Sequence, residues 1–150
     1  MATDLTSTDR GIIATLQEDG KATNNRIARE IGVSEETIRR RAHRLIESGV
    51  ISITAIPNAA KLGLKCEALI GIQTEPSRIN DVATALGEFD EVFLVTITTG
   101  SYSIFVQVKL TSQGDLLKFM TDKVSRIPGI VSTETFMNLL TLKQDYSLPV

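Results

Sequence analysis

Two short amphipathic segments joined by a glycine turn constrain the fold of this chain more than any other feature. The first segment, TNNRIAREIG, begins at the capping residue Thr23 and ends at Gly32. The second, SEETIRRRAHRLIESG, begins at the cap Ser34 and ends at Gly49. Ala28, four positions before Gly32, lets two helices cross closely, and the glycine permits a tight turn. This pattern predicts a helix-turn-helix.

The second segment gathers four arginines and the only histidine of the chain into positions 39–44. At about 100° per residue, one side of this helix is apolar. The residues predicted to be buried there are Ile38, Ala42, Leu45 and Ile46. Arg40 and Arg44 lie opposite that side, whereas Arg39 and Arg41 flank it. The whole chain has a net charge of −2, so the basic helix is a local feature and not part of a general excess of positive charge.

A basic helix of this kind fits the major groove of DNA, which is about 12 Å wide. The predicted DNA-binding residues are Ser34, Glu36, Thr37, Arg39, Arg40, Arg41, His43 and Arg44. Arg41 lies nearest the core and is expected to brace the fold while touching phosphate. For Glu35 and Glu36, stabilisation of the helix dipole is the competing interpretation. For the arginines, the alternative is an ordinary solvated helix face.

A further helix is predicted ahead of these two, in STDRGIIATLQEDG. Ser7 and Thr8 are its candidate caps, and Asp9 lies in its first turn. The first residues, MATDLTSTDRG, contain no hydrophobic signal segment and are expected to form a loose arm. No apolar run approaches 18 residues, so no membrane partner is predicted. Cys66 lies in an apolar run and is expected to be a buried thiol in a reducing cytoplasm.

The second half of the chain alternates strands with helices. Val50–Ile56 has the composition of a strand, and Pro57 and Asn58 interrupt it. We therefore expect a DNA-binding domain at 1–57, a hinge at 58–63 and a second domain at 64–150. In the second domain, strands are predicted at 66–74, 91–98, 103–110 and 130–142, and helices at 77–87 and 112–129. The predicted fold class is α+β: a winged-helix-like helix-turn-helix domain followed by a ferredoxin-like βαββαβ domain with both helices on one face.

The predicted strands are apolar on both faces. Phe93, Val95 and Ile97 alternate with Val92 and Leu94 in one of them. The helices can cover only one face of such a sheet, and a large exposed apolar patch is unfavourable. The same face of a second copy is the simplest cover, which predicts a homodimer. Two recognition helices in such a dimer could read a near-palindromic site.

The order and spacing of these segments resemble the Lrp/AsnC family over nearly the whole chain. TDRGIIATLQEDGKATNNRIAREIGVSEETIRRRAHRLIESGVI resembles the DNA-binding half of that family, AIPNAAKLG its hinge, TTGSYSIFVQV its glycine-tyrosine hairpin, and IPGIVSTETFM its last strand. The resemblance implies a cytoplasmic transcription regulator that assembles from homodimers, often into octamers. It also implies a small-molecule effector, commonly an amino acid, bound between subunits near the hairpin.

Carried over position by position, the resemblance implies effector-binding residues at the hairpin and on the last strand: Thr99, Gly100, Ser101, Tyr102, Thr133 and Thr135. Gly100 would let backbone N–H groups approach a carboxylate, and the hydroxyls could bind polar groups. A plain hairpin turn is the alternative, with Tyr102 as a packing residue. Ser103 stands where the family usually has an acidic residue, so the sequence does not identify the ligand.

No Ser/His/Asp set, paired carboxylates or metal-ligand cluster is visible in the sequence. No catalytic residue, metal site or cofactor is therefore predicted. An enzyme of the sirohaem decarboxylase type, which shares the two-domain layout, is one alternative function. A ligand sensor that acts on a partner regulator without contacting DNA is the other, although the arginines at 39–44 argue against it.

Overall fold

The computed structural model describes residues 4–150, which form two compact units. The first unit comprises the described residues up to Ile56 together with Lys143–Val150, and the second comprises Pro57–Leu142. The sequence assigned residues 143–150 to the second domain. They lie instead with the first unit, because Leu148 forms two hydrogen bonds with Gln17.

The first unit contains three helices, as predicted: α1 (Ser7–Glu18), α2 (Asn24–Ile31) and α3 (Glu35–Glu47). Its core residues are Ile12, Ile13, Ile27, Ala28, Ile38 and Leu45. Thr23 and Ser34 cap α2 and α3, as predicted. Gly32 ends α2 with a φ of 80°, a left-handed conformation that favours glycine and turns the chain into α3. The helix-turn-helix is therefore confirmed.

Three local predictions for this unit are wrong. The cap of α1 is Thr6 rather than Ser7 or Thr8, because Asp9 three residues later completes a capping box with it. Ile46 is 44% exposed, because it lies at the margin of the apolar stripe instead of over the core. Val50–Ile56 pair with no strand in the described chain, and this segment stays extended and largely exposed.

The second unit is a four-stranded antiparallel sheet with helices on one face. Its elements are β1 (Cys66–Thr74), α4 (Ile79–Gly87), β2 (Val92–Ile97), β3 (Ile104–Leu110), α5 (Gln113–Lys118) and β4 (Ile130–Met137). The strand order is β2-β3-β1-β4, which confirms the ferredoxin-like fold. After α5 the chain continues in a π-helical turn and a 3₁₀ turn that ends at Arg126, short of the predicted 129. The last strand ends at Met137 and not at 142.

The sheet has one covered and one uncovered face. Alternate residues of β1 and β3 pack under the helices: Cys66, Ala68, Ile70, Ile72, Ile104, Val106 and Val108. Burial raises the pKa of the Cys66 thiol, which is 4% exposed, as expected for a structural cysteine. The other surface, called the open face here, carries Leu69, Gly71, Leu94, Phe105 and Phe136. Leu94 and Phe136 are 46% and 42% exposed.

Gly71 supports the packing of the open face. The Tyr102 ring lies so close to it that a Cβ at position 71 would stand 2.8 Å from the tyrosine Cγ. The ring also meets Phe105 and Phe136 edge to face, with centroids 5.4 Å and 6.3 Å away. Tyr102 is therefore a packing residue in this chain, and only glycine fits beneath it.

We expect Gly71→Ala to destabilise the second unit by about 1–3 kcal/mol, because the added methyl group forces the Tyr102 ring and its neighbours apart. Urea unfolding measures the loss. Gly87→Ala is the control: no atom lies within 4 Å of its added Cβ, and its stability should change by less than about 1 kcal/mol. Equal effects of the two substitutions would contradict the close packing at Gly71.

Candidate DNA-binding surface and effector hairpin

The exposed side of α3 carries one ion pair and one histidine–carboxylate contact within the helix. Arg39 makes a two-point contact with Glu36, at 2.7 and 2.9 Å, and both side chains are about two-thirds exposed. The hydrogen bond from Arg39 lowers the pKa of Glu36. His43 Nδ1 lies 3.1 Å from Glu47. Exposed pairs of this kind contribute little to stability, so they can be exchanged for other partners at little cost.

The other three arginines meet at one concavity. Arg40, Arg41 and Arg44 line a cavity of about 260 Å³ on the surface of the first unit. Three guanidinium groups around one hollow produce a locally positive potential, although the chain as a whole is slightly acidic. The hollow therefore suits an anion such as a phosphate.

A buried carboxylate on α1 holds two of these arginines. Asp9 is 1% exposed, and its oxygens accept hydrogen bonds from Arg41 Nη1 at 3.1 and 3.2 Å. Thr6 donates to the same carboxylate from its backbone N–H and its hydroxyl, at 3.0 and 2.6 Å. Arg44 approaches more loosely, at 3.5 Å, and 63% of its side chain is exposed. Arg41 is thus fixed against α1, whereas Arg44 is only weakly held.

These contacts also determine how Asp9 titrates. Burial alone would raise the pKa of Asp9, but the hydrogen bonds from Thr6 and the Arg41 guanidinium outweigh it and hold the pKa below its ordinary value. Asp9 is therefore ionised at neutral pH. The sequence placed it only as a helix-dipole residue. The signal that could have revealed its role is the Thr6-x-x-Asp9 spacing, which turns the carboxylate back towards the helix start.

The remaining candidates on α3 lie at its amino-terminal end. Ser34 Oγ accepts a hydrogen bond from the Thr37 backbone N–H at 3.2 Å and lies 2.8 Å from the Thr37 hydroxyl. Both hydroxyls thus stabilise the first turn of the helix. Ser34 is exposed and Thr37 is half-buried, and both lie in line with Arg40 and Arg44 further along α3.

The predicted effector hairpin connects β2 and β3. Thr98 N–H donates to Ser103 O at 2.9 Å, and the Thr98 hydroxyl donates to Tyr102 O at 2.8 Å. Gly100 has a φ of 110°, which an L-residue rarely adopts, so glycine is needed at the turn. The tip residues Thr99, Gly100 and Ser101 are exposed.

Gln73 ties the hairpin to the last strand, and sequence reasoning missed it. Its side-chain N–H donates to Ser101 O at 3.0 Å, and its amide oxygen accepts from the Ser132 hydroxyl at 2.8 Å. Both halves of the amide are used, so one side chain fixes the distance between the tip and β4. The feature of the sequence that could have revealed this role is a polar residue, Gln73, at the exposed end of the otherwise buried strand β1.

The six predicted effector residues do not form one pocket within a single chain. Thr133 and Thr135 pair with Ile72 and Ile70, so they lie on the helix-covered side of the sheet. Tyr102 packs over Gly71 on the open face. The reason is the two-residue period of a strand, which places odd and even positions on opposite faces. Ser132, Glu134 and Phe136 are the β4 residues that share the open face with the hairpin.

No helix in residues 4–150 combines the length and apolar character needed to cross a membrane. Among the same residues, no group of three or more His, Cys, Asp or Glu side chains is arranged to hold a metal ion.

Family comparisons fit this arrangement of two units. The family model described as an AsnC-type helix-turn-helix domain matches residues 5–46, and the Lrp/AsnC ligand binding domain matches residues 67–148. The chain belongs to the Lrp/AsnC family. It is a transcriptional regulator with a DNA-binding helix-turn-helix domain and a ligand-binding domain, and the family and its named relatives are regulators rather than enzymes.

Individual relatives of this Lrp/AsnC family chain match it along its full length. It is 37% identical to the HTH-type transcriptional regulator FL11 of Pyrococcus abyssi, over 100% of this chain and 99% of that one. It is 38% identical to an uncharacterized HTH-type transcriptional regulator of Pyrococcus furiosus, over 93% and 95%. The E. coli AsnC structure superposes with a TM-score of 0.91 at 30% identity, covering 98% of this chain and 100% of that one.

A more distant structural neighbour contains a ligand. It is a transcriptional regulator from Neisseria meningitidis, solved as a complex with L-Met, with a TM-score of 0.90 and 24% identity. The match covers 97% of this chain and 96% of that one. At this identity the likeness shows a shared fold.

We expect Asp9→Ala to destabilise the first unit of this Lrp/AsnC family chain by about 3 kcal/mol, since it leaves Arg41 beside an empty, buried site. Urea unfolding followed by circular dichroism measures the loss. Glu47→Ala removes an exposed carboxylate paired with His43 and serves as the control, with a change below about 1 kcal/mol. If both variants unfolded at the same urea concentration, the Asp9–Arg41 pair would not stabilise the first unit as we infer.

Proposed function

We propose that this chain is a sequence-specific transcriptional regulator that reads operator DNA with α3 and responds to an amino acid bound between subunits. In this proposal residues 1–57 form the DNA-binding domain, 58–63 the hinge and 64–150 the effector-binding and oligomerisation domain, with the last eight residues returning to the first unit. The cytoplasm, where the DNA lies, is the proposed location.

The observation that carries the DNA-binding assignment is the concave group of Arg40, Arg41 and Arg44. Asp9 neutralises Arg41 and fixes its position, so Arg41 serves mainly to position α3. Arg40 and Arg44 are exposed and provide the free charge for phosphate contacts. In our proposal the remaining contacts to phosphate or base edges come from the amino-terminal and exposed positions of the helix: Ser34, Glu36, Thr37, Arg39 and His43.

We expect Arg40→Ala and Arg44→Ala each to weaken DNA binding and to reduce the slope of log K against log salt by about 0.9 for each subunit bound, because each removes one phosphate contact per subunit. Mobility shifts at several salt concentrations, on genomic fragments selected with the wild-type chain, measure this. Arg126→Ala, an exposed arginine of the second unit, changes the net charge equally and is the matched control. Identical slopes for all three variants would contradict the proposed surface.

The effector assignment rests on the polar groups around the hairpin tip. Gly100 leaves the backbone N–H groups there accessible, and Ser101 and Thr99 add hydroxyls that can bind a carboxylate. Gln73 and Ser132 hold the tip beside β4 on the open face. The Neisseria meningitidis relative, solved with L-Met, supports an amino acid as the ligand class. In our proposal Thr133 and Thr135 contribute from another subunit, because within one chain they face away from the hairpin.

A thermal-shift screen of the twenty amino acids tests this assignment. We expect at least one to raise the melting temperature of the wild-type chain, since binding to the folded state stabilises it by mass action. Gln73→Ala should reduce that shift, because it releases Ser101 and Ser132, whereas Gln113→Ala in the exposed first turn of α5 should not. A screen without a single shift would refute the proposed amino-acid effector.

Dimerisation is proposed from the open face and from the unpaired segment Val50–Ile56. Phe93, Leu94 and Phe136 are 47%, 46% and 42% exposed on one side of the sheet. Val50–Ile56 has a strand composition but finds no partner in the described chain, and Ile53 and Ile56 are more than half exposed. A second copy can cover the sheet and pair with the segment, which gives a two-fold homodimer. The family resemblance suggests further assembly into octamers.

Leu94→Glu should convert the dimer to a monomer, because it places an unpaired charge within an apolar interface. Sedimentation velocity measures the mass. Leu117→Glu, at a 64% exposed site on α5, introduces the same charge away from the open face and should leave the dimer intact. A monomeric wild-type chain would rule out the proposed assembly.

A further inference from the structure

The last eight residues return to the first unit after the chain has completed the sheet of the second. Lys143–Val150 pack with residues 4–56, although β4, immediately upstream, belongs to the second unit. Only five residues, 138–142, connect the end of β4 with this terminal segment. The segment is therefore a second covalent connection between the units, beside the one through residues 57–63.

Among the described residues, the Gln17 side chain hydrogen-bonds this segment to α1. The Gln17 amide donates to Leu148 O at 3.0 Å and accepts from Leu148 N–H at 2.6 Å. Both hydrogen-bonding groups of one backbone residue are thus satisfied by one amide, as they would be by a neighbouring strand. Glutamine is suited to this contact because its side chain carries a donor and an acceptor together.

The terminal segment is shaped for this contact by its own sequence. Pro149 restricts Leu148 to extended conformations, which present its N–H and C=O outward. Just upstream, Asp145 Oδ1 accepts the Ser147 N–H at 2.9 Å, which turns the chain locally. Lys143 also pairs with Asp145, at 3.7 Å. The segment therefore loses less conformational entropy on docking than an unstructured tail would.

The contact is specific but weak, because it buries little apolar surface. Leu148 is 71% exposed and Tyr146 is 59% exposed even when the segment is docked. Val150 is 46% exposed, so its partial burial adds to the two hydrogen bonds, and the ordering of the segment opposes both. The docked state is therefore favoured only modestly over the released state. Such a contact opens readily and can respond to small changes elsewhere.

At each end, this connection joins an element that also carries a residue linked to one of the proposed binding surfaces. Upstream, β4 carries Ser132, which Gln73 links to the effector hairpin. Downstream, Gln17 lies on α1, the same helix whose Asp9 holds Arg41 and Arg44. Gln17 and Asp9 are eight residues apart, or about 12 Å along the helix.

We propose that Lys143–Val150 form a releasable strap, clasped by Gln17, that ties the effector-binding sheet to the DNA-binding helices of the same chain. The docked strap pre-orients the DNA-binding unit, so a dimer engages two half-sites with less loss of freedom. The regulatory part of this proposal rests on the proposed DNA-binding function. The strap itself does not, and it can be tested without DNA or effector.

Trypsin cleavage after Lys143 reports release of the strap, because a protease needs the flanking residues undocked and extended. Mass spectrometry follows the heptapeptide Gln144–Val150. In Gln17→Ala it should appear about tenfold faster than in the wild-type chain, as expected from the loss of two hydrogen bonds. Glu18→Ala, the exposed neighbour, is the control and should match the wild type. Equal rates in the two variants would overturn the clasp.

A mixed-chain experiment distinguishes a strap within one chain from one exchanged between copies. Full-length Gln17→Ala is co-refolded with a wild-type chain that ends at Leu142, and the mixed assemblies are isolated by an affinity tag. The only intact terminal segment then lies on the chain without Gln17. Fast heptapeptide release is expected for an intrachain strap. Slow release would show that a second copy supplies the clasp and would overturn the intrachain assignment.

DNA binding then tests the regulatory role. Gln17→Ala should bind a two-half-site duplex about threefold or more weakly, while its affinity for a single half-site stays within about twofold of the Glu18→Ala control. Unchanged two-site binding despite fast heptapeptide release would overturn this role. If the wild-type chain shifts the mobility of no genomic DNA fragment, the proposed DNA-binding function is wrong. The rates of heptapeptide release still show whether the strap exists.

Discussion

The buried carboxylate of Asp9 is the constraint on which the geometry of the DNA-binding helices depends. An ionised group that is 1% exposed is strongly unfavourable unless charges and hydrogen bonds compensate it. Thr6 and Arg41 provide that compensation, and in doing so they join α1 to α3. The rotation of α3 about its own axis is then set, and with it the directions of Arg40 and Arg44. A fold-stabilising contact thus also determines which charges face outward.

The second unit leaves one surface unsatisfied within a single chain. Its helices bury one side of the sheet, while aromatic and aliphatic side chains remain on the open face. Gln73 fixes the hairpin on that same face, so the proposed ligand would sit beside the surface that a second copy covers. A ligand in that place can stabilise one arrangement of subunits over another. It does so only through a difference in its affinity for the two arrangements.

The sequence predicted the elements of this structure well, because their signals are local. Thr23, Ser34 and Gly32 mark helix ends by cap chemistry that involves only nearby residues. Features that depend on distant partners were missed or misjudged. Gln17 and Leu148 are 131 positions apart, and nothing near either one indicates the other. Val50–Ile56 has the composition of a strand, but a strand needs a partner, and residues 4–150 of the single chain provide none. Thr133 and Thr135 were predicted as effector-binding residues from the family resemblance alone. The register of β4 against β1 decides on which face of the sheet they lie, and the sequence does not reveal that register.

The interactions at both proposed surfaces are weak in a way that favours regulation. The Arg39–Glu36 and His43–Glu47 pairs are largely exposed, so exchanging their carboxylates for DNA phosphates loses little and releases counterions. Allosteric coupling free energies are typically about 1–3 kcal/mol. The two hydrogen bonds of the Gln17–Leu148 contact, at about 0.5–1.5 kcal/mol each, together contribute in the same range. A clasp much stronger than this would remain closed whatever the hairpin bound, and a much weaker one would transmit nothing. The Gln17–Leu148 contact, with its full pair of hydrogen bonds and its exposed apolar side chains, lies between these limits.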